Sequence, residues 1–246
     1  MALLQPLFHS GKIWRGKAVQ PRTHGVMSSG IEAMDQLLLG GWPRGHVSEL
    51  LHQGQGIGEL RLLLPILARL SEQATANAQW LVFVAPPFIP YAPALQSAGI
   101  DISRILWLQP EQPKQGLWAT EQCLKSGSCV GVLSWLESSI YPKFKLKGPD
   151  IRRLQLAADQ GQSFSWLIRP ERYRTEASPA TCRLVLSATS AQQMLSVECL
   201  KRRGAWPLSA VRITLPGEPL HDYVDETEIA PQLVRGPWQQ SGLCLE

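Results

Sequence analysis

Apolar residues along this chain fall into short continuous runs, and the stretches between those runs carry a helical period. The runs are HVSELL (46–51), WLVFVA (80–85), ILWL (105–108), CVGVLSW (129–135) and FSWLI (164–168). Unbroken runs of this length suit strands that are covered on both faces, as in a mostly parallel sheet. The intervening segments read as helices. Ser29 followed by Glu32 forms a capping-box pattern ahead of an apolar stripe at Ile31, Met34, Leu37 and Leu38, and Gly40-Gly41 ends that helix. A strongly apolar helix is predicted over 59–70, with Pro65 expected to kink it. Further helices are predicted over 91–98, 118–125 and 150–159. Strand and helix alternating at this spacing predict an α/β fold, a mostly parallel sheet flanked by helices.

The pattern changes after residue 180. The stretches 181–188, 193–200 and 210–215 read as three consecutive strands, which predicts an antiparallel extension of the sheet. Residues 1–27 show no sustained period and scatter Lys12, Arg15, Lys17 and Arg22 among Phe8, Trp14, glycine and proline. Residues 216–246 are rich in helix and strand breakers. The expected organisation is an N-terminal arm (1–27), a core domain (28–215) and an irregular C-terminal tail (216–246).

Composition narrows the class. In 246 residues, 44% are hydrophobic, enough for one sizeable core, and only 18% are charged, which leaves surface for a partner. Nine tryptophans suit either core or interface. A net charge of +4 permits contact with nucleic acid without arguing for it. The five cysteines (Cys123, Cys129, Cys182, Cys199, Cys244) include no C-x-x-C pair, so reduced thiols are expected, with Cys123 and Cys129 read as core residues. No apolar run reaches 18 residues, and the start of the chain lacks a signal-peptide pattern. A cytoplasmic protein without membrane contact is expected.

The chemistry is more telling in what it withholds. A strand, a glycine-rich loop and a helix, in that order, is the layout of a phosphate-binding loop. Here the loop reads Gly54-Gln55-Gly56-Ile57-Gly58-Glu59-Leu60. A carboxylate, Glu59, stands where a lysine would neutralise phosphate, and Leu60 cannot hold magnesium. The strand 80–85 runs into Pro86-Pro87 and the strand 129–135 ends in Ser134-Trp135, so neither offers the acid that would activate water or orient a metal. The reading is a degenerate loop at Gly54, Gly56, Gly58 and Glu59, no cofactor and no enzyme. The five histidines (9, 24, 46, 52, 221) lack metal-ligand spacing, and no catalytic triad is suggested around Ser134.

Ser28 to Leu50 (SSGIEAMDQLLLGGWPRGHVSEL) resembles the opening of RecA-like ATPases. The stretches 56–68, 85–101, 117–136, 152–170, 178–184 and 200–207 together resemble the ImuA family of bacterial translesion synthesis. That resemblance implies a RecA-like fold without hydrolysis and a damage-inducible accessory role. It implies three partners: RecA, a catalytically inactive Y-family-like polymerase homologue and an error-prone polymerase III α-type subunit. The alternative from a different class is a cell-division inhibitor of the SulA type, which binds the division tubulin.

Two basic clusters are candidate contact sites. Lys143, Lys145 and Lys147 alternate with Tyr141, Phe144 and Leu146, so an extended chain would place the three lysines on one face. With Arg152 and Arg153 they are candidates for partner contact or weak DNA contact, against the alternative of a solvated loop. One of the two arginines is expected to face solvent or pair with Asp150. The second cluster is Lys201, Arg202 and Arg203. The RecA-like resemblance implies that Lys201 and Arg203, two apart on a strand, reach toward a neighbouring subunit's nucleotide; a solvated hairpin tip is the alternative.

Overall fold

The computed structural model describes residues 25–217, apart from Gln55, Ser139, Gln192 and Ala205. Most of the expected arm and tail therefore lies outside the described residues.

Eight strands form one sheet in the order β10-β9-β8-β3-β7-β6-β4-β5. They are β3 (Val47–His52), β4 (Trp80–Val84), β5 (Ile105–Leu108), β6 (Cys129–Ser134), β7 (Phe164–Pro170), β8 (Cys182–Ala188), β9 (Met194–Lys201) and β10 (Leu208–Thr214). From β8 across to β5 every pairing is parallel, while β8–β9 and β9–β10 are antiparallel. The mostly parallel sheet and its antiparallel extension are thus both present. A two-stranded ribbon, β1 (Val26–Met27) with β2 (Trp42–Pro43), precedes it.

Helices cover both faces, which is why the parallel strands read as continuous apolar runs. The helices α1 (Glu32–Leu38) and α2 (Glu59–Ala76) lie over one face, where Met34, Leu62, Ile66 and Leu70 pack with Leu50, Phe83 and Trp166. The short helix α3 (Ala92–Ser97) adds Leu95 to that side. The helices α4 (Pro113–Lys125) and α5 (Gly148–Gly161) cover the other face, where Leu117, Leu124, Ile151 and Leu154 pack with Val47, Val82, Val132 and Leu167. The tryptophans divide: Trp42, Trp135 and Trp166 are buried, while Trp118 and Trp206 are exposed.

The structure departs from the sequence reading in the unforeseen β1–β2 ribbon and in three helices. The first helix begins at Glu32 without a side-chain cap from Ser29. Its orphan turn is tied instead by Asp35, whose carboxylate accepts from Ser28 Oγ at 2.5 Å and from the Ser29 N–H at 2.6 Å. Helix α2 runs through Pro65 and on to Ala76, six residues beyond the expected end. Its buried side, from Leu62 to Leu70 and then Ser71 and Ala74, holds it to the sheet along its whole length. Helix α4 starts five residues early, with Pro113 in its first turn, where proline's missing N–H costs nothing.

Candidate interaction site

The parallel strands give the molecule two distinct ends. The carboxyl ends of β3, β4, β5, β6 and β7 point the same way, so the segments that follow them gather at one end of the sheet. In open α/β sheets this is the end where ligands and partners bind.

A buried ionic cluster shapes that end. Glu49 of β3, Arg169 of β7, Arg183 of β8 and Glu137, just after β6, are all buried. Arg169 Nη1 donates to Glu49 Oε1 at 2.7 Å, and its Nε and Nη2 fork onto Glu137. Arg183 Nε donates to Glu49 Oε2 at 2.5 Å, and its remaining nitrogens donate to the carbonyls of Tyr173 and Glu176 at 3.0 and 2.8 Å. Burial opposes the Arg169 charge, yet the Glu137 and Glu49 carboxylates hold its pKa above the ordinary value. Glu137 Oε1 also accepts from the Leu146 N–H at 2.8 Å, so the cluster fixes both ends of the 137–146 segment. The Tyr173 ring lies 4.4 Å from the Arg169 guanidinium carbon.

Beside this segment, β4 releases an apolar loop. Ala85, fully buried, has a left-handed φ of 51° and is followed by Pro86. A residue before proline is already restricted, so this backbone is strained, and the strain turns the chain sharply out of the sheet. The result is that Phe88 (68%), Ile89 (73%) and Tyr91 (65%) stand in solvent within seven residues of the end of β4, which is buried from Leu81 to Val84. Trp135 packs edge-on against Phe83 beneath, with centroids 6.0 Å apart.

The basic residues predicted from sequence are divided between the two ends. Lys143, Lys145 and Lys147 are all exposed while Leu146 is buried, as the alternation predicts. Lys145 pairs with Glu176 at 2.6 Å. Arg153 pairs with Glu121 of α4 rather than Asp150, whose carboxylate accepts from the Lys147 N–H. Arg152 is exposed. Lys201, Arg202 and Arg203 lie at the opposite end, because β9 runs antiparallel to its neighbour β8. Each is held by its own chain: Lys201 Nζ donates to the Ser178 carbonyl at 3.0 Å, Arg202 Nη1 caps the end of α1 at the Leu37 carbonyl at 2.6 Å, and Arg203 Nη1 lies 3.0 Å from His46 Nε2. The two cations expected to reach outward together are therefore engaged apart.

At the glycine loop, Gly56 and Gly58 take φ values of 75° and 99°. A Cβ on Gly58 would meet Leu215 at 2.6 Å, and Arg61 Nη2 donates to the Pro216 and Gly217 carbonyls at 3.0 and 3.1 Å. The chain after β10 thus lies against the start of α2. Glu59 Oε2 is buried with no hydrogen-bond partner among the described residues. Cys123 and Cys129, read as core residues, also form a thiol pair. The Cys129 thiol is held below its ordinary pKa by the hydrogen bond from Cys123, with Ser126 Oγ at 3.8 Å helping, although burial pushes it up. Among the described residues there is no group of three metal-ligating side chains, and no helix is long and apolar enough to cross a membrane.

Comparison with known proteins decides between the two functional classes. The family described as "Cell division inhibitor SulA" matches residues 45–165. That region, just under half of the chain, is similar to the SulA family. The SulA cell division inhibitor of Serratia marcescens is 28% identical over 132 residues, covering 54% of this chain and 72% of that protein. The one from Photorhabdus laumondii is 32% identical over 123 residues, covering 50% of this chain and 63% of that protein. A crystal structure of SulA from Pseudomonas aeruginosa is 35% identical, covers 97% of its own chain and 50% of this one, and superposes with a TM-score of 0.40. The family and sequence matches support a SulA-type cell-division inhibitor over the translesion reading.

They overturn the ImuA resemblance, and with it the translesion and mutagenesis role and the RecA, polymerase-homologue and polymerase III α-type partners. The physical reason lies in which residues carried that resemblance. The stretches 56–68, 117–136 and 152–170 supply Leu62, Ile66, Leu133, Leu154 and Trp166, all buried. Core residues report how a sheet is packed, and that does not separate families of similar architecture.

Proposed function

We propose that this chain blocks division by binding the division tubulin, with no catalysis of its own, through the end of the sheet that carries Phe88, Ile89 and Tyr91. The single observation that carries the reading is this apolar loop, thrust out by a strained buried hinge and lying inside the SulA-matched region. Three large apolar side chains side by side in solvent are the kind of anchor that fills a partner's pockets. Lys143, Lys147 and Arg152, for which no carboxylate partner is found among the described residues, supply a cationic rim at the same end, with Lys145 and Arg153 held beside them by their ion pairs. Rim charges of this kind raise the association rate more than the affinity. Lys201, Arg202 and Arg203 lie at the far end and take no part in that contact.

We also take residues 28–215, with β1 added in front, as the folding unit, and read its parallel core as RecA-like. The support is the succession of strand, glycine turn and long helix at 47–76. On this reading Gly54, Gly56, Gly58 and Glu59 are a nucleotide loop turned to structural use, since Leu215 and the Pro216 carbonyl lie where a ligand would approach.

The test follows polymerisation of purified division tubulin by light scattering. The wild-type protein suppresses assembly. Replacing Phe88, Ile89 and Tyr91 together by serine abolishes suppression and leaves the melting temperature of the inhibitor unchanged. A triple variant as inhibitory as the wild type would remove the assignment to this loop. A wild-type protein without effect on assembly would remove the partner.

A further inference from the structure

The end of the molecule opposite the apolar loop holds a cavity of about 260 Å³ between the β1–β2 ribbon, the start of β3, the start of β8 and the β9–β10 turn. Its ionisable lining is basic throughout: Arg44, His46, Arg202 and Arg203, with apolar walls from Leu38 and Pro43. Two of the arginines are oriented by their own chain. Arg44 Nε donates to the Gln162 carbonyl at 2.7 Å, and Arg202 is tied to the Leu37 and Trp206 carbonyls.

The hydrogen bonds around His46 leave a conflict. Gln155 Oε1 accepts from the Val47 N–H and from Thr181 Oγ1, both at 3.0 Å, which fixes the orientation of its amide. Its Nε2 therefore donates, to the Gly45 carbonyl at 3.3 Å and to His46 Nδ1 at 2.8 Å. A neutral His46 then carries its proton on Nε2. Yet Nε2 lies 3.0 Å from Arg203 Nη1, which has only protons to offer. Two donors face each other with no acceptor between them. Turning the Gln155 amide over would only move the conflict to the Val47 N–H at the start of β3. A charged imidazole would not relieve it, and burial together with Arg203 lowers the His46 pKa, while Asp159 pulls weakly the other way.

An anionic oxygen is the group that satisfies both donors. We propose that this cavity binds a small molecule with an apolar body and one oxyanion, phosphate or carboxylate. The oxyanion accepts from His46 Nε2 and Arg203 Nη1, with Arg44 and Arg202 supplying further positive charge. Guanidinium groups suit such an oxyanion because they present paired donors that cannot deprotonate. A cavity of roughly 150 Å³ admits a benzene ring, so the volume here accommodates one ring and one oxyanion. Apart from Gly45–Val47, Gln155, Asp159 and Gln162, the residues involved lie outside the SulA-matched segment, and the proposal does not depend on the division reading.

The test titrates the full chain with phenyl phosphate, inorganic phosphate and benzoate, by calorimetry and by the imidazole nitrogen shifts of His46. Phenyl phosphate or benzoate binds one to one and moves the His46 Nε2 resonance, and the tighter of the two identifies the oxyanion. Arg203→Gln and Arg44→Gln each weaken binding by roughly tenfold, the worth of one charge-assisted hydrogen bond. Lys114→Gln, on α4 at the other end of the sheet, leaves it unchanged. Thermal melts confirm that each variant is folded. No binding of any probe at millimolar concentration would overturn the proposal, as would binding undiminished in both arginine variants. Inorganic phosphate binding as tightly as phenyl phosphate would overturn the apolar body.

Discussion

Four buried charges, Glu49, Glu137, Arg169 and Arg183, hold the working end of the sheet together, and nothing in the sequence announces them. Their partners are 32, 120 and 134 residues apart, so no local spacing could have paired them. Glu49 sits inside a run that reads as a plain apolar strand, and Arg169 falls just past the end of another. The strained Ala85 was equally silent, because alanine is not a residue that signals a left-handed backbone. The exposure of Lys143, Lys145 and Lys147 was legible from their alternation with apolar residues, although Lys143 lies in a turn closed by the Phe144 N–H and the Tyr141 carbonyl rather than on an extended chain. The cluster makes a quantitative prediction. Glu137→Ala strips Arg169 of a forked partner and leaves the Leu146 N–H without its acceptor. Breaking a buried ion pair from one side costs about 3–5 kcal/mol, because the remaining charge stays buried. Urea unfolding of this variant is expected to show a correspondingly lower midpoint with an unchanged slope. A midpoint within error of the wild type would mean that water reaches Arg169.

At the scale of elements, the strands of the eight-stranded sheet were legible to within a residue or two, as were α3 and α5; the β1–β2 ribbon, the end of α2 and the start of α4 were not. Strand limits follow from where an apolar run stops, as at Val84 before Pro86. Helix limits depend on caps, and α4 opens on Gln112-Pro113 where serine, threonine or aspartate would have signalled a start. The far end of α2 was missed because SEQATA is polar overall, although Ser71 and Ala74 are buried. Packing between α4 and α5 rests on a position that also looked unremarkable. A Cβ on Gly161 would sit 1.9 Å from the Leu124 carbonyl oxygen, where the end of α5 crosses the end of α4. Ser163 Oγ stitches the same spot, donating to the Cys129 carbonyl at 2.6 Å. Gly161→Ala must therefore push the two helices apart, with an expected loss of about 1–3 kcal/mol from overpacking. Gly148→Ala, in open space at the start of α5, is expected to be neutral or stabilising by up to about 1 kcal/mol, through the unfolded chain. Comparing the two melting curves checks the claim; equal effects would show that α5 shifts freely.

At the scale of the whole molecule, the segment that matches SulA stops short of the sheet it belongs to. The match ends at residue 165, two residues into β7, which runs on to Pro170. Strand β3, the first of the matched region, lies between β7 and β8 and hydrogen-bonds to both. Cutting at 165 removes most of β7 and all of β8, β9 and β10. It exposes Leu50 on one face, and it takes away Arg169 and Arg183, leaving Glu49 as a carboxylate without a cation in the middle of the sheet. The face under α1 and α2 also loses Leu184, Leu186, Val197, Ile213 and Leu215, all fully or nearly fully buried. An unpaired central strand beside an unpaired buried charge cannot be repaired by the remaining helices. A fragment of residues 45–165 of this chain is therefore expected to lack a cooperative thermal transition. A fragment of residues 25–217, which keeps every strand pairing and the whole ionic cluster, is expected to melt in one step. Circular dichroism melts of the two fragments, at matched concentration, make the comparison. A sharp transition in the shorter fragment would show that β3 and Glu49 find other partners, and that the antiparallel strands are an addition to the fold rather than half of its core.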